Sequence, residues 1–225
     1  MKSRQFQVLS RKYLLPYLSG YGVKGSLLFV QPLKYLLRGF CFEGSGFDPS
    51  AFYVWAFVQP LYVPRHVISL TFGKRLGGGA GQRWKLTRET ERDVMNEVLV
   101  CVKAEGIPII KQFETPAKFA EEAVEFTHAP KDPYVVEAVA YSLILAGEYA
   151  KALEALNHLH TILKKLDLSL SWPQEMLQRA QYLHNTLARE PDEAIELLEK
   201  WTEQTLRNLS LIREAESPDR RCRAS

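Results

Sequence analysis

The chain holds only three cysteines in 225 residues, Cys41, Cys101 and Cys222, with no CxxC pair among them. A disulfide framework is thereby excluded, and a reducing cytoplasm is the expected compartment. No apolar run approaches the roughly 20 residues that cross a bilayer, so no membrane partner is expected. Arg11 and Lys12 interrupt the apolar part of the amino-terminal segment, which speaks against a secretory signal. Hydrolase signatures are missing too: there is no G-x-S-x-G elbow, no H-E-x-x-H and no papain-like cysteine context. Of the five histidines, His158 and His160 point in nearly opposite directions on a helix, and His66, His128 and His184 have no ligand-spaced neighbour. No catalytic residue, metal or cofactor is expected from this inventory.

Acid is scarce in one place above all. From Met1 to Arg88 there are 13 Lys or Arg against only Glu43 and Asp48, whereas Glu89 to Pro218 carries 13 basic residues against 23 acids. Asymmetry of this size points to an anionic partner or to mutual attraction of the two halves. The same 88 residues hold 16 of the 25 aromatics.

Residues 3–19 place Phe6, Leu9, Tyr13, Leu14 and Tyr17 at helical spacing and stop at Gly20. Strand-like runs follow at 26–30, 34–42, 52–62 and 66–72, separated by turn residues. Consecutive strands with short links predict an antiparallel meander. The segment 73–82, GKRLGGGAGQ, reads as a mobile loop. It is no phosphate-binding P-loop, because Gly73-Lys74 precedes Arg75 and Gly81 precedes Gln82 instead of the required Lys-Ser/Thr. Its charged flanks still suit a phosphate contact. Thr87 and the acids behind it open a helix to about residue 104, and 107–113 is a last strand or a connector. Thr115-Pro116 and Asp132-Pro133 are N-cap and first-turn signals. Helices are expected near 116–128, 133–146, 149–166, 173–189 and 192–213.

Two short stretches carry likenesses. Leu145, Ala152, Leu153, Glu154 and Leu156 recur 42 positions later as Leu187, Ala194, Ile195, Glu196 and Leu198. At 140–156, with its Gly147 turn, Tyr149 and Ala152, the chain resembles one tetratricopeptide repeat, which implies stacked helix pairs and protein docking. Arg38-Gly39-Phe40-Cys41-Phe42 resembles the start of the RNA-recognition signature, in which alternate rings stack on bases. A half-buried strand with its rings on the core accounts for the same residues. The order of helix, aromatic meander and trailing helices is similar to small bacterial domains found near defence or toxin–immunity loci.

The expectation is an α+β protein: a basic domain at 1–112 with an antiparallel sheet and flanking helices, an acidic helical region at 113–215, and a disordered basic tail at 216–225. Arg38, Lys74, Arg75, Arg83, Trp84, Lys85 and Arg88 are the candidate anion- or partner-binding residues. Tyr141, Tyr149, Tyr182 and Trp201 are the candidate protein-docking residues. Together they predict a non-enzymatic binding or adaptor protein with a protein partner, within a larger assembly such as a defence or immunity system. The alternative is a nucleic-acid-binding protein.

Overall fold

The computed structural model describes residues 2–78 and 81–215, and the tail expected at 216–225 lies outside them. The fold is α+β, and it divides into two compact units. The first gathers residues 1–59 and 72–112 with the chain from Leu211; the second gathers 60–71 and 113–210.

In the first unit, helix α1 (Ser3–Leu9) and its continuation, π-helical over Ser10–Leu14 and 3-10 over Leu15–Tyr17, lead into six strands. These are β1 (Tyr21–Lys24), β2 (Leu27–Val30), β3 (Leu36–Gly44), β4 (Ala51–Pro60), β5 (Phe72–Arg75) and β6 (Trp84–Lys85). The first five follow one another across the sheet as an antiparallel meander, and β6 also pairs with β4. Strand β1, a short stretch around Gly22, escaped the sequence reading because it has too few residues to show a period. Gly39 is required where β2 and β3 meet: a Cβ there would lie 2.2 Å from the Leu28 carbonyl oxygen and 2.6 Å from the Phe29 Cα.

Alternation along β3 and β4 sends Phe40, Phe42, Phe52 and Val54 to one face. There they meet Phe6 and Leu9 of α1 and Met95 and Val98 of α2 (Glu91–Cys101). Phe6 lies 5.5 Å from Phe42 and 5.6 Å from Phe52, and Phe52 stacks on Trp84 at 5.9 Å. Each such ring buried contributes about 2–3 kcal/mol by removal from water. Helix α2 continues through a π-helical stretch, Val102–Gly106, into α3 (Ile107–Lys111). The strand or connector expected at 107–113 is therefore helical. Pro108 lies inside this continuous helical run, where it has no N–H to give an i→i−4 bond, and the π-helical stretch falls just before it.

The glycine-rich segment is an excursion from one edge strand. Arg75 pairs with Trp55 and Trp84 with Phe52, both on the same side of β4. Between them the Leu76 N–H donates to the Val54 carbonyl at 2.9 Å, and Gln82 returns its N–H to the Leu76 carbonyl at 2.8 Å. Residues 73–75, expected as loop, are thus strand, and the chain leaves the sheet only at Gly77.

The second unit is built from α4 (Pro116–Thr127), α5 (Pro133–Leu145), α6 (Tyr149–Leu163), α7 (Ser171–Arg189) and α8 (Pro191–Asn208). Thr115 and Asp132 accept the Lys118 and Tyr134 N–H groups, as their cap signals predict. Helix α5 is apolar nearly all round and packs against α4, α6 and α8, so it forms the centre of the unit. The internal echo has a packing basis: Ala152 and Leu156 are buried at the same steps of α6 as Ala194 and Leu198 of α8.

Segment 66–72 was expected as a strand, but only Phe72 belongs to one. Its neighbours 60–71 join the helices, and their polar groups bond to helix side chains rather than to a ladder. The Tyr62 hydroxyl bonds Ser142, the Val63 carbonyl accepts from Thr205 at 3.4 Å, and the Arg65 carbonyl accepts from Asn208 at 3.1 Å. Pro60 and Pro64 lack the N–H that continued pairing needs.

Candidate functional site

Four of the 13 basic residues in the first 88 positions are ion-paired: Lys12 with Glu91, Arg65 with Glu137, Arg75 with Glu43, and Lys85 with Asp48. Lys2, Arg4, Arg11, Lys24, Lys34, Lys74, Arg83 and Arg88 form no ion pair among the described residues.

The candidate anion-binding residues are not one cluster. Trp84 is buried at 2% exposure against Phe52 and is a core residue rather than a contact. Arg38 is half-buried and donates to the Ile110 carbonyl at 3.4 Å, tying β3 to α3. Lys74 and Arg75 are successive strand residues and so point to opposite faces. Lys74, Arg83, Lys85 and Arg88 are exposed. Arg75 lies on the sheet face opposite the core, with its guanidinium 4.2 Å from the Tyr53 ring centre and 4.8 Å from that of Trp55. Glu43 completes this clamp, accepting from the Trp55 indole N–H at 2.8 Å and from Arg75 at 3.2 Å. The Tyr53 and Trp55 rings on this outer face of the sheet are therefore covered by the chain's own arginine. Phe40 and Phe42, at the RNA-recognition-like stretch, face the core, as the half-buried-strand reading holds. At the glycine excursion, the Gly77 N–H donates to Glu105 at 3.0 Å, so a carboxylate occupies one donor that a phosphate would use.

A basic groove lies elsewhere in this unit. Lys2, Arg4, Gln5, Val8 and Lys12 from α1 and its continuation form it with Pro49 and Glu91. Val8 is 58% exposed within it. Hydrogen bonds from the Tyr13 hydroxyl and the Lys12 ammonium hold Glu91 below the usual carboxylate range. Neither described cysteine has a thiol shifted toward thiolate: burial first, then Glu43, pushes the Cys41 thiol up to about 11, and burial with Glu105 does the same for Cys101.

In the helical unit, Tyr141 is fully buried with its ring centre 5.7 Å from that of Trp201, so it is interior rather than docking surface. Tyr149 and Trp201 are half-buried, and Tyr182 is exposed. What organises the unit is a residue the sequence reading passed over. Glu137 is 0% exposed, and Oε1 accepts from Arg179 at 2.9 and 2.6 Å and from the Tyr141 hydroxyl at 3.1 Å. Burial opposes the charge on Arg179, but Glu137 and Tyr141 outweigh it and raise the guanidinium further. Arg65 reaches toward Oε2 at 3.8 Å and lies 4.6 Å over the Tyr134 ring, which stacks on Trp172 at 5.2 Å. A signal was present: Glu137 stands alone among apolar residues in PYVVEAVAYSLIL, and an acid in an all-round apolar helix needs a buried cation. Which cation would come to it is invisible in the order of residues.

Asn157, His160, Gln181 and His184 line a small cleft between α6 and α7. Among the described residues no three His, Cys, Asp or Glu side chains converge as a metal site would require. No described helix is long and apolar enough to cross a membrane. No family model matches the chain, and comparisons with curated proteins and with solved structures likewise find no match.

Proposed function

We propose that this protein is a non-enzymatic binding or adaptor module that works as a subunit of a larger assembly, of the kind found in bacterial defence or immunity systems. The observation that carries this reading is the groove of the first unit. Val8 stands exposed in a groove that Lys2 and Arg4 also line, two cations with no ion pair among the described residues. An apolar anchor in a groove with two unpaired cations suits an acidic amphipathic protein segment: the field steers it in and Val8 supplies the contact. Triple substitution Lys2→Glu, Arg4→Glu, Val8→Asp tests it. After in-cell cross-linking, the wild-type chain should retain a protein that the triple variant loses. Identical retention by both counts against the reading.

A second reading has its own support, because eight exposed or half-buried cations without ion pairs would suit a polyanion. Nucleic-acid binding would then weaken steeply as salt rises, and replacing Lys74, Arg83 and Arg88 together would flatten that slope by about three phosphate contacts. The covered rings of Tyr53 and Trp55 and the buried Phe40 and Phe42 favour the protein partner. Absence of binding to single- and double-stranded nucleic acid at low salt would leave that reading alone.

A further inference from the structure

We propose a second binding site, in the helical unit, for an acidic peptide segment: Arg65 takes its carboxylate, and Trp172 with its neighbours takes an adjoining apolar side chain. This site does not rest on the groove of the first unit, and neither test decides the other.

Two guanidiniums, Arg65 and Arg179, stand at one carboxylate, Glu137. Arg179 claims that carboxylate with two hydrogen bonds to Oε1, where Tyr141 also donates. Oε2 is buried and accepts no hydrogen bond, and Arg65 remains 3.8 Å from it, beyond bonding range. One carboxylate thus serves two guanidiniums, and Arg65 has only the longer, unbonded contact with it. The Arg65 guanidinium, with five N–H donors, makes no hydrogen bond among the described residues, although its side chain is only 28% exposed. Stacking on Tyr134 holds its plane in place. A guanidinium that is charged, oriented and short of acceptors is pre-organised for a bidentate carboxylate.

The apolar half of the ligand follows from what lies beyond Tyr134. Trp172 stacks on that ring and is still 37% exposed, and just before it in the chain Leu168 and Leu170 are 39% and 50% exposed. A free inorganic anion would use Arg65 and ignore this surface. A peptide bearing Asp or Glu beside Leu, Ile or Phe would use both.

The loop carrying Arg65 is held by bonds that do not involve its side chain, from Asn208 to the Arg65 carbonyl and from Thr205 to the Val63 carbonyl. Arg65→Gln is therefore expected to fold, which circular dichroism checks. The full chain is panned against a displayed library of short random peptides, and enriched peptides are synthesised for fluorescence anisotropy. Expected are sequences with an acid next to a large apolar residue. Amide replacement of that acid, or Arg65→Gln, each weakens binding about tenfold or more, and the two combined weaken it little further. Arg65→Lys restores only part, because it keeps the charge and loses the fork. Trp172→Ala weakens the same peptides. Peptides that enrich without an acid, that ignore Arg65→Gln, or that lose to inorganic phosphate in competition overturn the proposal; so does a library that yields no binder sensitive to Trp172→Ala.

Discussion

The sheet unit fills its interior with rings and keeps its charges outside, whereas the helical unit buries a carboxylate and draws two arginines to it. The difference lies in what each kind of element can satisfy. Antiparallel strands bond their own backbones, so a core of Phe40, Phe42 and Phe52 needs nothing polar. The 60–71 segment has no ladder and depends on helix side chains: Ser142, Thr205 and Asn208 bond it, and Glu137 attracts its Arg65. The interior charge itself is met chiefly by Arg179 of α7, which bonds Glu137 directly.

The contrast can be broken at several points. The largest effect is expected at Glu137→Ala, which leaves Arg179 buried without its partner and costs about 3–5 kcal/mol. Denaturant unfolding measures it. Adding Arg179→Met should recover much of the loss, since the lone buried charge is the cost; no recovery would mean that the pair stabilises by attraction. Next comes Gly39→Ala in the sheet unit. Its new Cβ meets backbone atoms of Leu28 and Phe29 that cannot step aside, and about 1–3 kcal/mol should be lost in the same assay. A neutral result would show that β2 and β3 can separate freely.

Tyr62→Phe removes one buried hydroxyl bond, while Ser142 keeps its own to the Ala138 carbonyl at 2.6 Å, for about 1 kcal/mol. Glu43→Gln should cost well under 1 kcal/mol, because the Arg75 pair is a third or more exposed and screened by water. The smallest change is one of pH. Burial raises the Cys41 thiol from 9.0 to about 11, so the folded state binds the proton more tightly than the unfolded chain. That stability is complete below pH 9 and is lost as pH climbs toward 11. Melting temperature should therefore fall less across this window in Cys41→Ala than in the parent. Equal slopes would place the thiol in water.

Much of the architecture was legible. Periodicity located α1 and the helices from 116 onward, and Thr115-Pro116 and Asp132-Pro133 marked the two caps that form. Alternating aromatics marked β3 and β4, with their rings on the core. The failures were local: too few residues showed a period at β1, and β-branched residues at 66–72 imitated a strand that two upstream prolines and the helix side chains prevented.

The candidate sites were less legible, because a site is a set of distances. Arg75 was named as a contact residue, yet Tyr53, Trp55 and Glu43 already hold it. Arg65, Tyr134 and Trp172 went unnamed because 107 positions separate the first from the last. Composition and periodicity by themselves determined which stretches coil, which pair and where positive charge accumulates, since those depend on neighbours a few bonds away. Only the tertiary structure decided which charges were spent inside and which were left facing outward, because Coulomb attraction and ring stacking act through space between residues that the chain order keeps far apart.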